Sequence, residues 1–192
     1  MLWSCTVEAW LTGRGVVFPE DFETERLRLR RPVLSDAESI FHAYAQDPEV
    51  TRYLVWRPHA GIETTRVFVA DCDARWSALS GFPYAITLKR SDDPIGMIDL
   101  RPKGHRLEFG YVLARKYWGN GFMPEAIRAI VSASFGTKTI FRVEATCDVE
   151  NKASARALEK AGLACEGTLR RYIVHPNLSP EPRDSLLYAI TK

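Results

Sequence analysis

The chain has 192 residues, enough for one domain with a self-sufficient core. Its 46% hydrophobic and 26% charged residues are ordinary for a soluble globular protein, and a formal net charge of +2 exerts no strong pull toward nucleic acid or a membrane surface. No apolar run approaches the ~20 residues that span a bilayer, and Cys5, Cys72, Cys147 and Cys165 have neither metal-site spacing nor the density of a disulfide framework.

Residues 1–22 read as an N-terminal extension, and 23–192 as the domain. The stretch Met1 to Phe18 lacks the basic start of a signal peptide, and Glu8 interrupts its apolar run. A cytoplasmic protein without a metal is therefore expected. Over 26–33, Arg26, Arg28 and Arg30 alternate with Leu27 and Leu29, the period of a half-buried strand. The arginines are either a nucleic-acid stripe or the solvated face of that strand. No aromatic or further basic cluster accompanies them, which favours the solvated face.

Ser35 with Glu38 three residues on reads as a capping box, opening a helix with Ile40, Phe41 and Tyr44 on its apolar face and Pro48 at its limit. A second helix is predicted over 62–79, stopped by Gly81. Strands follow at 84–90, 95–101 and 106–113, the first two separated by Ser91-Asp92-Asp93-Pro94. Met123, Ile127, Ile130, Val131 and Ser134 share one face of a helix over 123–135, with Pro124 in its first turn and Gly136 at its end. A strand at 140–147, a helix at 152–161 and strands near 165–174 and 185–190 complete the chain. This order predicts an α/β (α+β) domain with a mixed sheet flanked by helices.

Two stretches carry chemistry. Residues 108–125 run from a strand through a glycine-containing loop into a helix start. Free N–H groups and the helix dipole suit a phosphate there, and Gly119 and Gly121 let the backbone approach it. Arg115 and Lys116 add positive charge. Pro124 stands where a dinucleotide fingerprint needs its third glycine, and there is no Gly-Lys-Ser/Thr run, so an ordinary strand-to-helix turn stays open as an alternative. The second stretch, Asn151 to Gly162, is by itself a capped amphipathic helix.

Together the stretches resemble the GNAT superfamily, and within it the RimJ/RimL-like group of ribosomal-protein N-terminal acetyltransferases. The resemblance rests on Tyr117-Trp118-Gly119-Asn120-Gly121-Phe122 with Glu125-Ala126, on Asn151-x-x-Ser154 with Glu159-Lys160-x-Gly162, and on Glu166-Gly167-Thr168-Leu169-Arg170 with Asp184. It runs from about Glu25 to Thr191.

The resemblance implies a sheet of about six to seven strands and about four helices, splayed between the fourth and fifth strands. It implies acetyl-CoA as cosubstrate and a primary amine, on a protein N-terminus or a small molecule, as acceptor. The alternative is a non-catalytic acyl-CoA sensor or scaffold on the same fold. The loop 116–121, with Lys116, Trp118, Gly119, Asn120 and Gly121, would hold the pyrophosphate through its backbone N–H groups, and Phe122 and Met123 would also contact the cofactor. The backbone of Val112 and Leu113 would pair with the pantetheine arm, and Asn151 would line its path. Lys116 stands where the family usually has Arg or Gln. Many members use a tyrosine to reprotonate the leaving thiolate; Leu158 occupies that position here, and Ser154 matches the serine proposed for the role in the RimJ/RimL-like group. Glu108 matches the group's strand glutamate and is the expected general base, directly or through a water. Trp56, Trp76 and Tyr53 are either acceptor-cleft walls or core. Acceptor loops are expected around 50–60 and 174–184. No nucleic-acid or membrane partner is expected, and a homodimer is the usual assembly on frequency grounds.

Overall fold

A computed structural model describes residues 18–192. The stretch before Phe18, most of the expected extension, lies outside the described residues. The strands are β1 (Asp21–Glu23), β2 (Leu27–Arg30), β3 (Phe82–Leu88), β4 (Pro94–Lys103), β5 (Arg106–Leu113), β6 (Arg142–Asp148), β7 (Ala164–Val174) and β8 (Pro182–Thr191). The helices are α1 (Ala37–Ile40, continued by a π turn, Phe41–Ala45), α2 (Pro48–Thr51), α3 (Ile62–Ser77), α4 (Phe122–Gly136) and α5 (Lys152–Lys160). All strands join one sheet in the order β1-β2-β3-β4-β5-β6-β8-β7. Among the described residues, only β5 and β6 pair parallel. Among the described residues, no helix is long and apolar enough to cross a membrane.

The helices cover both faces of the sheet. Side chains on successive residues of a strand point to opposite faces. Ile98, Leu100, Leu107 and Phe109 accordingly pack with α4 and α5, whereas Met97 and Val112 pack with α1 and α3. The split leaves Glu108, Gly110 and Val112 on the α1/α3 face of β5, as the alternation predicts.

Three expectations change. The described residues hold eight strands and five helices; the additions are short pieces, β1 and α2. Pro48 opens α2 instead of only ending the helix before it, because Asp47 caps α2 by accepting the Glu49 N–H at 2.9 Å. The domain begins before residue 23. β1 pairs with β2, Phe18 is 2% exposed against Phe82, and the Tyr84 hydroxyl donates to the Pro19 carbonyl at 2.5 Å.

The expected Ser35–Glu38 capping box does not form. Asp36 takes its place, accepting the Val33 N–H at 2.8 Å and both Arg30 guanidinium arms at 2.7 and 2.8 Å. Arg30, at 7% exposure, is thus a buried ion-pair partner and not part of a solvated face. Arg28 pairs with Asp21 and Asp92, and Arg26 with Glu125.

Candidate active site

The loop after β5 is built to present N–H groups. Gly119 and Gly121 adopt φ of +79° and +76°, which L side chains adopt only under strain. The N–H groups of Tyr117 and Trp118 close a 3₁₀ turn onto Ala114 and Arg115. Among the described residues, no protein acceptor meets the N–H groups of Gly119, Asn120, Gly121, Phe122 or Met123. Five consecutive amides at the head of the fifteen-residue α4 form a cradle suited to an anion. The Asn120 side chain donates to the Tyr117 and Trp118 carbonyls at 3.2 and 3.0 Å and so stiffens the loop. Lys116 is exposed, with its ammonium 4.9 Å from the Tyr117 ring.

Glu125 moors this cradle to β2. Its carboxylate accepts from the Thr24 hydroxyl at 2.5 Å, the Arg26 N–H at 2.9 Å and the Arg26 Nε at 2.6 Å, while Arg26 Nη1 donates to the Asn120 carbonyl at 3.0 Å. The carboxyl proton affinity follows from these contacts. Burial pushes it up, but the bonds from Thr24 and Arg26 outweigh that and hold it below the usual carboxylate range. Arg26, read from sequence as part of a strand face, is a buttress of the loop. Its partner lies 99 residues away, and no local pattern could reveal it.

The sheet opens beside the loop. β5 and β6 pair only from Arg106↔Arg142 to Glu108↔Glu144, and β6 then runs on to Asp148 against β8 alone. The cleft edge of β5 beyond Glu108 is therefore unpaired. Register decides which peptide groups it offers. The Ala114 N–H donates to the Ile95 carbonyl at 2.8 Å, so alternation directs the peptide groups of Val112 and Gly110 at their β4 partners Met97 and Asp99. Phe109, Tyr111 and Leu113 face the cleft instead. Leu113 already has its carbonyl bonded by Trp118 Nε1 at 2.7 Å and keeps its N–H. Val112 is among the residues that line the cavity, while its peptide groups turn to β4.

Across the gap stands the start of α5. Asn151 is its N-cap, accepting the Ser154 N–H at 3.1 Å through Oδ1. Its Nδ2 has no partner among the described residues. Ser154 Oγ lies 2.7 Å from the Tyr111 hydroxyl, which also reaches the Ser154 carbonyl at 3.2 Å. Burial pushes the Tyr111 phenol well above its ordinary value, so it stays protonated and able to donate. Leu158 is buried core, 0% exposed. The expectations for the cleft did not include Tyr111. Its strand alternation was legible, but the contact with α5, 43 residues on, was not.

Glu108 sits at the mouth of the splay in a charged ladder. Its oxygens accept from Arg101 at 3.1 Å and Lys103 at 2.6 Å, and Arg101 continues through Asp99 to Arg75. Burial raises its proton affinity, but the two cations more than compensate and hold the carboxyl below the ordinary value. Asp148 and Glu166 are likewise held low: at Asp148 the Arg183 bonds outweigh burial, and at Glu166 the Arg142 bond leads. Depressed carboxyls stabilise the fold fully above their unfolded values near ~4 and lose that contribution as pH falls through the lower folded values. Thermal midpoints should thus stay level from pH 7 to about 5 and drop as the pH falls below about 4. A midpoint unchanged at pH 3 would show that these pairs contribute nothing.

One cavity of about 890 Å³ runs from the loop through the splay to the α1/α3 side. It falls in the range of ligand pockets. Tyr53 and Trp56 line it, whereas Trp76 is core, 4% exposed, with its Nε1 donating to the Pro83 carbonyl at 2.7 Å. Its outer wall comes from two loops tied together by Asn177, whose Nδ2 donates to the Thr51 and Trp56 carbonyls at 2.7 and 2.8 Å.

A splayed sheet with a run of unpaired amides at its open edge suits an extended ligand that ends in phosphate groups. Residues 26–164 match the family described as Acetyltransferase (GNAT) domain, and the chain belongs to that family. It is 34% identical over 173 residues to the uncharacterized N-acetyltransferase YoaA of Bacillus subtilis, spanning 88% of this chain and 96% of that protein. The crystal structure of a GNAT-family acetyltransferase from Bacillus anthracis superposes with a TM-score of 0.77 at 29% identity, covering 89% of this chain and 98% of that one. The microcin C7 self-immunity acetyltransferase MccE, solved with acetyl-CoA and AMP, shares the fold alone, with a TM-score of 0.78 at 20% identity over 88% of this chain and 94% of that one. The chain is thus an N-acetyltransferase, of a family that uses acetyl-CoA and acts on an amine.

Proposed function

We propose that this enzyme takes acetyl-CoA along the open edge of β5 and passes the acetyl group to a primary amine by direct attack in a ternary complex. The observation that carries the reading is the run of unpaired N–H groups from Gly119 to Met123, leading into a cleft with an unpaired strand edge. Those amides receive the pyrophosphate, and the exposed Lys116 and Trp118 flank it. The Leu113 N–H and the Tyr111 peptide bond the pantetheine arm. The free Nδ2 of Asn151 faces the same path. The nearest peptide donor for the oxyanion of the reacting carbonyl is on the same edge.

Ser154 Oγ gives the proton to the leaving sulfur, with the Tyr111 hydroxyl positioning it. Glu108 is ionised at neutral pH and accepts a proton through a water. The Asn151-x-x-Ser154 pattern with Leu158 supports a place beside the RimJ/RimL-like group, with a protein N-terminus or small-molecule amine as acceptor and the cytoplasm as the site of action.

Glu108→Gln is expected to lower turnover about 10- to 100-fold near neutral pH with acetyl-CoA affinity unchanged within about twofold. Thiol release under saturating acetyl-CoA reads the first quantity and calorimetry the second. Full turnover in this variant would remove Glu108 from the proton path.

A further inference from the structure

We infer that His59 is a specificity-determining residue on the acceptor side, whose Nε2–H donates a hydrogen bond to a neutral carbonyl oxygen that the acceptor carries beside its amine. The inference rests on the acetyl-transfer reading above and narrows the class of amine. His59 lines the cavity of about 890 Å³ together with Tyr53, Trp56 and Phe68. The Trp56 and Phe68 rings flank it, with centroids 5.1 and 5.9 Å away. Both pack on the same apolar cluster as Val112 of β5, so this stretch of wall stands on the α1/α3 face of the sheet. That is the face that carries Glu108.

The ring is held from two sides. The His59 backbone N–H donates to the Ala45 carbonyl at 2.9 Å, and Asn177 pins the Trp56 carbonyl three residues before it. His59 Nδ1 lies 2.8 Å from Thr65 Oγ1. Thr65 is 0% exposed and does not line the cavity, and its hydroxyl has no other partner among the described residues. That sets the tautomer. A hydroxyl oxygen can leave a lone pair unmatched at little cost, whereas a buried O–H proton without an acceptor forfeits a hydrogen bond. Thr65 therefore donates to Nδ1, and the neutral ring carries its hydrogen on Nε2. Burial pushes the imidazole below its ordinary value with no charged neighbour to counter it, so the ring is neutral at neutral pH. Nε2 has no protein partner among the described residues, yet it is not sealed from solvent. With Nδ1 turned to a residue outside the cavity, the edge bearing Nε2 is the one left open to it.

A neutral N–H donor in a wall of aromatic rings selects a neutral oxygen. Burying a carboxylate beside apolar rings costs more than burying a carbonyl. The cations Arg75 and Arg101 on the cavity wall are already spent on Asp99 and Glu108. A site with a donor built for an oxygen discriminates against an amine that lacks one, because the bound amine then leaves the donor without a partner. The acceptor thus carries an amide or peptide carbonyl for His59 and an apolar group that meets Tyr53, Trp56 and Phe68. Its amine is directed to the open edge of β5.

L-Phenylalaninamide and phenethylamine are the probes, since both carry a benzyl group and only the first carries a carbonyl. With ¹⁵N-labelled histidine, the His59 ring should show its hydrogen on Nε2 at neutral pH. With coenzyme A present, phenylalaninamide should shift that nitrogen and phenethylamine should not. A hydrogen on Nδ1, or an Nε2 signal unmoved by phenylalaninamide up to its solubility limit, would overturn the inference. In turnover, His59→Phe keeps a ring but loses the donor. It should lose about 5- to 20-fold in kcat/KM with phenylalaninamide and stay within about twofold with phenethylamine. Each amine is compared with itself in the parent, so their different basicities cancel. His59→Gln, which keeps an N–H near the place of Nε2, should recover most of the loss. Equal losses with both amines would mean a purely structural role and would also overturn the inference. If the parent neither binds acetyl-CoA nor releases thiol, the acetyl-transfer reading is what has failed. The ¹⁵N signals then decide separately whether His59 holds a carbonyl.

Discussion

Gly121→Val is expected to weaken acetyl-CoA binding about 10- to 100-fold. At φ of +76° a β-branched residue carries about 1–3 kcal/mol of backbone strain, and each ~1.4 kcal/mol is tenfold in affinity. The new Cβ itself meets nothing closer than Arg26 Nη2 at 3.5 Å, an ordinary contact. Lost affinity would thus report the backbone path and not a steric plug. The loop relieves the strain by leaving its conformation, and the amides from Gly119 to Met123 then no longer converge. Calorimetry with acetyl-CoA checks the effect, with Gly136→Ala as control, since that position is helical and a Cβ there meets no atom within 4 Å. Parent-like affinity in Gly121→Val would mean that the loop does not hold the cosubstrate in this conformation.

Arg30→Met is expected to be the most destabilising single change, by about 3–5 kcal/mol. Arg30 is 7% and Asp36 5% exposed, and both guanidinium arms meet the carboxylate. Removing one partner leaves a buried uncompensated charge, whereas the pair together gives little net gain over apolar packing. In a domain of this size the loss corresponds to roughly 6–20 °C in thermal midpoint. Arg30→Met with Asp36→Leu should recover a large part of it, because no charge is then stranded. A single variant melting within 2 °C of the parent would show that water reaches Asp36. Either way, acetyl-CoA affinity in the folded protein should stay the same, since neither residue lines the cavity.

The features legible in the sequence were those encoded locally. The alternation over 106–113 assigned Glu108 and Val112 to one face and Phe109 and Tyr111 to the other, as packing bears out. Met123 to Ser134 announced the helix that follows the loop, and the glycine pair announced the loop. Hidden features depend on partners distant in sequence. Ser35 looked the better cap because Arg30 only meets Asp36 once the helix folds back on β2. The resemblance implied a cleft-facing peptide at Val112 as well as Leu113, but the bond from Ala114 to Ile95, which no local pattern shows, sets which peptides turn to β4. Phe18 and β1 carry too few residues for a periodic signal, so the domain edge fell late. His59 and Asn177 sit in loops with no period, and only their bonding singles them out.

The most direct test of the central claim is a backbone amide titration of the full chain with acetyl-CoA. The account predicts the largest shifts at Gly119, Asn120, Gly121, Phe122 and Met123, with a second group at Tyr111 and Leu113 and little change at Gly110 and Val112, whose N–H groups are spent on β4. Shifts absent from the 119–123 run, or centred away from the β5–β6 splay, would contradict it.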